Sequence, residues 1–133
     1  KTTYYDGRRY DLRDLYLFFL TKSQKTKLNK LLREAMIRRD GEVCLRCGRT
    51  KAIHTSHIYP KGKYRKMAYD LNNVIPLDFH CHIHWWHSHP LESGEWIKTA
   101  IPKERLEYLE QKARTIDKTK LDFETIKQTL AGE

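Results

Sequence analysis

The sequence predicts a small α+β protein, in which two short strands and a helix form a core and further helices flank it. The first observation is that residues 42–60 and 70–78 carry short apolar sets typical of strands, whereas both ends of the 133-residue chain carry apolar residues at helical spacing. The second is that all three cysteines and all seven histidines lie between Cys44 and His89. Together they place a ligand-rich core between two helical flanks.

The predicted parts of this single compact domain are an N-terminal basic helical arm (1–41), the core (42–90) and a C-terminal helical extension (91–133). Residues 1–22 are expected to form a short helix or strand with an apolar patch. That patch comprises Leu12, Leu15, Tyr16, Phe18 and Phe19. An amphipathic helix follows over residues 23–39, with Ser23 as N-cap and Gly41 after its end.

The remaining helices are placed by their start signals. A helix is expected to begin near Phe79 or His80 and to carry His82. Pro90 and Pro102 are each suited to open a helix, the second covering residues 103–115. A last helix is predicted over residues 121–131.

Charge and cysteine usage narrow the class of protein. The formal net charge is +9, which favours a polyanionic partner. The longest apolar run, residues 15–20, is far short of the roughly 18 residues of a membrane span, so no membrane partner is expected. An odd cysteine count that includes a CxxC pair favours metal ligands in a reducing compartment, here the cytoplasm.

The cysteines predict a structural zinc site. Cys44 and Cys47, followed by Gly48, form a zinc-knuckle pattern in which a tight turn directs both thiolates to one point. The setting lacks the βαβ context of a redox CxxC, and Cys81 supplies a third ligand. His84 is favoured as the fourth because imidazole competes well in thiolate-rich zinc sites, and Asp78 is the alternative.

A second group of residues has the chemistry that phosphodiester hydrolysis needs. His57 can accept a proton from water at neutral pH. His82, at a helix start, can hold a cation that neutralises charge and stabilises the leaving 3′-oxygen. Asn73 can orient the His57 ring through its backbone or the loop, or bind metal through its amide oxygen.

Residues 44–87 resemble the HNH (ββα-metal) endonuclease motif: a knuckle, a strand ending in histidine, an asparagine before a second strand, and a Cys-His pair opening a helix. The nine-residue step from Asn73 to His82 is the usual one for this motif. The resemblance implies that His57 is the general base, Asn73 the central asparagine and His82 a metal ligand. Residues 84–96 and the helical tail are also similar to NinG-type recombination endonucleases of phages.

The sequence departs from this motif at two positions. Ser56 stands where many such sites have an acidic or histidine metal ligand. Either His87, His54 or His80 compensates, with His87 preferred, or the metal is held loosely by His82 and the substrate phosphate. Asp78 stands where the motif commonly has cysteine.

The loop from Tyr59 to Lys66 is the predicted DNA contact, since it places basic side chains beside the base histidine. The predicted DNA-binding residues are Lys61, Lys63, Tyr64, Arg65 and Lys66 in this loop, with Lys30 and Arg33 on the first helix. Trp85 and Trp86 are expected to pack the central helix against the C-terminal elements.

The expected function is a DNA endonuclease with structural Zn²⁺ and catalytic Mg²⁺ or another divalent ion, acting in phage DNA recombination or processing within the host cytoplasm. Branched DNA is a candidate substrate. Because a single site cuts one strand, double-strand cleavage would require a homodimer or two successive binding events. The alternative is a non-catalytic, zinc-stabilised DNA-binding module.

Overall fold

The computed structural model describes residues 2–5, 8–11, 20–115 and 121–132, with side chains described from Leu20 onward. Its architecture is α+β, as predicted. The elements are β1 (Thr2–Tyr5), β2 (Arg8–Asp11), α1 (Lys22–Asp40), β3 (Ile53–His57), β4 (Val74–Asp78), a π-helix (His80–Trp86), α2 (Pro90–Ala100), α3 (Lys103–Arg114) and α4 (Phe123–Gly132).

The described residues before Leu20 form strands, which is one of the two alternatives expected for residues 1–22. β1 and β2 pair antiparallel, with Thr2 opposite Asp11 and Tyr5 opposite Arg8. The Thr-Thr-Tyr-Tyr sequence of β1 is β-branched and aromatic, which favours a strand. The apolar patch predicted over residues 12–19 lies outside the described residues.

Helix α1 forms where it was predicted, but its N-cap is Thr21 rather than Ser23. The backbone N–H of Gln24 donates to Thr21 Oγ1 (3.1 Å), and the Thr21 N–H donates to Gln24 Oε1 (3.0 Å). This reciprocal capping box satisfies two N–H groups, whereas a start at Ser23 would lack it. Gly41 ends the helix as predicted, at a φ of +83° that favours glycine.

Strands β3 and β4 form an antiparallel pair that supports the centre of the molecule. Ile53 lies opposite Asp78, and His57 lies opposite Val74. All five residues of β4 are buried, because both faces of this strand are covered. The pairing brings the end of β3 beside the start of β4, where His57 and Asn73 were predicted to act.

Two hydrophobic clusters attach the flanking helices to β4. One cluster joins Leu32 and Met36 of α1 to Val74 and to Leu130 of α4. The other contains Leu77 of β4 and residues of β3, the π-helix, α2 and α3, namely Ile53, Cys81, Ile97 and Leu109. The helical flanks are therefore packed on the core. Among the described residues, no helix has both the length and the apolar character to cross a membrane.

The C-terminal helices begin close to the predicted positions. Pro90 opens α2 in its first turn, and Pro102 precedes α3 as its N-cap. Helix α4 begins at Phe123, two residues later than predicted. The proline signals were reliable because proline's fixed φ suits the first turn, where its missing N–H is not needed.

Replacing Gly94 by alanine is expected to raise the free energy of unfolding by about 0.5–1 kcal/mol. Gly94 is an exposed interior residue of α2, and a Cβ added there meets nothing within 4 Å. The substitution therefore removes unfolded-chain entropy without introducing a clash. Urea denaturation measures the change, and a lower midpoint for Gly94→Ala would contradict the open space described at this position.

Candidate functional site

Cys44, Cys47, Cys81 and Asp78 form a group that could hold a metal ion such as zinc. Their ligand atoms all lie within 4.8 Å of one another. Three thiolates and a carboxylate oxygen are a donor set that fits a four-coordinate zinc ion. In the described part of the chain, these four form the only group of at least three His, Cys, Asp or Glu ligands this close together.

A turn and two element ends position these ligands. In the knuckle the Cys44 N–H donates to Arg49 O (2.8 Å) and the Gly48 N–H donates to Cys44 O (3.0 Å). Gly48 has a φ of +81°, which lets the chain reverse immediately after the second cysteine. The other two ligands come from the end of β4 and the first turn of the π-helix.

The structure groups Asp78, the predicted alternative, with the three cysteines, in place of the preferred His84. Asp78 Oδ1 accepts the N–H of Cys81 (2.9 Å) and lies 3.6 Å from Cys44 Sγ. His84 instead places its exposed ring near Phe79, with 5.2 Å between ring centroids. A π-helix turns less per residue than an α-helix, so three residues after Cys81 fall further short of a full turn and place His84 further from the face that carries Cys81.

The protonation tendencies of this group differ from one ligand to the next. Burial acts to raise the pKa of Asp78, but hydrogen bonds from Cys81, Cys44 and Arg49 outweigh it and lower that pKa to about 2. Burial and the Asp78 carboxylate raise the pKa of the Cys81 thiol to about 12. Burial also acts to raise the pKa of Cys44, yet backbone hydrogen bonds hold it below its usual value. Binding of a metal ion must therefore release the Cys81 proton.

His57 lies at the end of β3 with one ring nitrogen fixed. Its Nε2 is 2.8 Å from Ala68 O, and because a carbonyl can only accept, Nε2 carries the proton. Burial lowers the pKa of His57 below its usual value, and the charge of Lys61 adds to this, against the opposing hydrogen bond to Ala68. The neutral ring therefore keeps Nδ1 as a proton acceptor at neutral pH.

Asn73 is fully buried and uses its amide to hold the loop that follows His57. Its Oδ1 accepts the Tyr59 N–H (2.8 Å), and its Nδ2 donates to Tyr59 O and Met67 O (both 3.0 Å). Met67 precedes Ala68, the acceptor for His57. Of the predicted alternatives, this geometry favours orientation of His57 through the loop, because the amide oxygen is engaged with the backbone.

His82 lies between two other histidines. Its Nδ1 is 2.9 Å from His54 Nδ1, and its Nε2 is 3.1 Å from His87 Nε2. Burial lowers the pKa of His82 to about 4, and the charges of His87, His54 and His57 add to this. His82 is therefore neutral at physiological pH and can act as a nitrogen ligand.

The π-helix explains why His87 is a neighbour of His82. The His87 N–H donates to His82 O (3.2 Å), an i to i+5 contact, and the two ring centroids are 4.7 Å apart. In an α-helix, five residues would place the two side chains on different faces. The ring of His80, another predicted compensating ligand, lies instead against Phe79 and His84.

Ser56 is fully buried on β3, and among the described residues its hydroxyl has no hydrogen-bond partner. Replacing Ser56 by alanine is expected to leave stability unchanged or to raise it by up to about 1 kcal/mol, since an unpaired buried hydroxyl is unfavourable. Urea denaturation measures this. Ser93→Ala is the matched control, because the buried Ser93 hydroxyl donates to Trp86 O (3.3 Å), and it should lose roughly 0.5–1.5 kcal/mol. A larger loss at Ser56 than at Ser93 would contradict this description.

The predicted DNA-binding side chains do not all line one groove. Lys61 and Arg65 line a groove of about 320 Å³ together with Lys25, Asn29 and Ala68, and we call this the basic groove. Lys63 lies over the ring of Tyr64, and Lys66 is half-buried. Lys30 lies instead beside Lys22, Ser23, Thr26 and Lys27.

Arg33 has a structural contact that the sequence did not predict. It donates to Ile53 O (2.6 Å) and to Glu42 Oε1 (2.9 Å), which ties α1 to the start of β3. The predicted packing role of Trp85 is confirmed: the side chain is buried, donates to Glu92 Oε1 (2.9 Å) and has the Arg46 guanidinium 3.8 Å from its ring centroid.

Two arginines missed by the sequence analysis hold the segment that contains Asn73. Arg39 donates to Leu71 O and Val74 O (both 2.6 Å), and Arg105 donates to Asn72 O (2.8 Å) and Val74 O (2.7 Å). Burial and the neighbouring Arg39 lower the pKa of Arg105 to about 10. We call these hydrogen bonds from Arg39 and Arg105 the arginine clasp. No local sequence pattern identifies it, because it joins residues more than 30 positions apart.

Asp70, at the start of the same segment, is held by α3. Tyr108 and Lys112 donate to Asp70 Oδ2 (2.6 and 2.7 Å). Burial acts to raise the pKa of Asp70, but these hydrogen bonds outweigh it and keep the carboxylate charged. The backbone around Asn73 is thus fixed from both α1 and α3.

Comparison with known protein families, with curated proteins and with solved structures gave no match for this chain.

Proposed function

We propose that this protein is a metal-dependent DNA endonuclease of the HNH (ββα-metal) type. The single observation that carries the proposal is the state of His57: its Nε2–H is committed to Ala68 O, and its pKa lies below the usual value. The neutral ring is therefore held with Nδ1 as the acceptor, which is what a general base for water requires.

The neighbouring residues support the same chemistry. His57 takes a proton from the attacking water at Nδ1, and the Ala68 carbonyl stabilises the positive ring through the Nε2–H. Asn73 is the positioning residue, because it holds both Tyr59 and Met67 in the loop that presents this carbonyl. A divalent cation at His82 would neutralise the phosphate charge and stabilise the leaving 3′-oxygen.

His87 is the best-supported partner of His82 for that cation. Nitrogens bound to one metal ion as neighbouring ligands lie about 3 Å apart, and the two Nε2 atoms are separated by 3.1 Å. His54 is a second possible partner, because its Nδ1 lies 2.9 Å from the other ring nitrogen of His82, Nδ1. Since imidazole suits Ni²⁺, Zn²⁺ or Fe²⁺ better than Mg²⁺, we expect transition metals to be the more effective activators.

DNA is the proposed substrate because of charge and position. The net charge is +9, and the basic groove contains Ala68, whose carbonyl holds His57. Lys25, Lys61 and Arg65 in this groove would bind phosphates without reading sequence. The more specific proposal, processing of phage or branched recombination DNA, is based on the NinG-type resemblance of the sequence.

A second candidate function is a zinc-stabilised DNA-binding module without catalysis. The observation that favours it is Ser56, which is buried away from any ligand role at the position where an acidic metal ligand is common. The observation that distinguishes the two functions is a cation bound at His82, which only the nuclease requires.

His82→Ala is expected to lower the rate of plasmid nicking at least tenfold at a fixed Mn²⁺ or Ni²⁺ concentration, because it removes the central nitrogen ligand. The loss should be smaller when the metal concentration is raised. His84→Ala is the control, since its ring lies outside both ligand groups. Equal nicking by wild type and His82→Ala would contradict the proposed cation position, and DNA binding without nicking would favour the second function.

A further inference from the structure

We propose that a groove beside His87 binds an unpaired nucleobase, so that the preferred substrate is DNA with an unpaired nucleotide next to the cleaved phosphate. This inference rests on the proposed nuclease function. The groove has a volume of about 530 Å³, within the range of roughly 300–1,000 Å³ for sites that bind small molecules. We call it the aromatic groove, and its main lining residues are Tyr59, Trp86, His87, Gly94, Ile97 and Leu106.

The position of the aromatic groove connects it to the proposed active site. His87 lies on its wall, and His87 Nε2 is 3.1 Å from His82 Nε2. Ile58 and Tyr59, also on the wall, directly follow His57 in the chain. A nucleotide whose phosphate lies between His57 and His82 would therefore have this groove within reach of its base.

The lining chemistry fits a base better than a phosphate. Ile97 and Leu106 supply apolar surface, and the half-buried rings of Tyr59 and Trp86 supply aromatic surface for stacking. Glu110 also lines the groove and is paired with Arg114 through Oε1 (2.6 Å), which leaves its other carboxylate oxygen to accept a hydrogen bond from an amino group of a base.

The distribution of charge also indicates that the basic groove binds phosphates and the aromatic groove binds a base. The basic groove contains Lys25, Lys61 and Arg65, and none of the described residues that line it is acidic. In the aromatic groove, Lys98 is paired with Glu95 at 3.0 Å. The phosphates thus have a separate cationic surface, which leaves the aromatic groove for a base. In an intact duplex the bases are stacked and paired, so only an unpaired or extruded base could enter.

The test is binding of labelled duplexes by fluorescence anisotropy without added divalent cation. Three duplexes are compared: fully paired, with one unpaired nucleotide, and with an abasic unit at that same position. The wild type is expected to bind the unpaired-nucleotide duplex roughly tenfold more tightly than the other two, the size of one base–aromatic stack. Equal affinity for the unpaired-nucleotide and abasic duplexes would overturn the proposal.

Gly94→Leu provides the test on the protein side. Gly94 lines the groove and a Cβ added there meets nothing within 4 Å, so the longer side chain of leucine is expected to occupy part of the groove. The roughly tenfold preference should be lost in Gly94→Leu and kept in Gly94→Ala, with unchanged affinity for paired DNA in both. A preference that survives in Gly94→Leu would overturn the assignment of the groove to a base. If Gly94→Leu instead changes the oligomeric state and keeps the preference, the groove is a self-association surface, and the proposal is overturned as well.

Cleavage of the same duplexes with Mn²⁺ separates this inference from the function on which it rests. Cleavage without a preference for the unpaired nucleotide would overturn the base site and leave the nuclease function intact. A base-dependent binding preference without cleavage by any metal would remove the nuclease function and leave the base site as a DNA-binding feature.

Discussion

Replacing His57 by alanine is expected to reduce the rate of DNA cleavage by about 10²–10⁴-fold, the usual contribution of a positioned general base. The physical reason is the loss of Nδ1, the proton acceptor that the hydrogen bond to Ala68 O leaves free. Single-turnover cleavage of a labelled duplex at saturating metal measures the change. Affinity for DNA should change less than twofold, because the basic side chains of the groove stay in place and the His57 side chain does not itself line it.

His89→Ala is the matched control for this experiment. His89 is exposed, and only its backbone carbonyl takes part in the start of α2, where it accepts the Ser93 N–H. The control should cleave at the wild-type rate. A His57→Ala protein as active as His89→Ala would contradict the assigned base.

The same residue predicts how cleavage depends on pH. The pKa of His57 is lowered by burial, so the base loses its proton at a pH below the usual value of about 6.5. Since the neutral ring is the active form, the cleavage rate should rise with pH and level off by about pH 7. A rate that continues to rise tenfold per pH unit above pH 7 would indicate a different titrating group.

We propose that zinc binds at the cysteine group, and the expected effect is large because chelation of that ion should unfold the core. Structural zinc contributes about 10–16 kcal/mol of apparent binding free energy in small zinc domains, which is as large as a domain's whole stability of about 5–15 kcal/mol. The group joins the knuckle, β4 and the π-helix, so its loss separates elements that share one cluster. Metal analysis and thermal unfolding before and after chelation measure this effect.

Two substitutions test which fourth ligand is used. Asp78→Asn keeps the size of the side chain and its hydrogen bond to the Cys81 N–H but removes the charged oxygen, so zinc affinity should fall by at least tenfold. His84→Ala should retain one zinc per chain. The reverse result would restore His84, the ligand favoured by the sequence, and would contradict the grouping in the structure.

Much of the fold could be predicted from the sequence because its signals are local. Helix α1 was placed by apolar spacing and by Gly41, and the later helices by Pro90 and Pro102. The grouping of Cys44, Cys47 and Cys81 as ligands of one metal site could be predicted from the residue type and the spacing.

The features that were missed depend on geometry over longer distances or on backbone pitch. His87 was the preferred partner of His82, but the π-helix that brings the two rings together was missed, because no side-chain pattern indicates its pitch. The same altered pitch made α-helical spacing a poor guide for His84. The arginine clasp on Val74 O links α1 and α3 to β4, which only the folded chain brings together.

The measurement that tests the central claim most directly is nicking of supercoiled plasmid with Mn²⁺, Ni²⁺ or Mg²⁺, followed by treatment with DNA ligase. A leaving 3′-oxygen implies nicks with 3′-hydroxyl and 5′-phosphate ends, so the account predicts metal-dependent nicks that ligase reseals and that His57→Ala does not produce. Tight, salt-sensitive binding of the plasmid with no nicking by any metal would contradict the nuclease and identify a zinc-stabilised DNA-binding module.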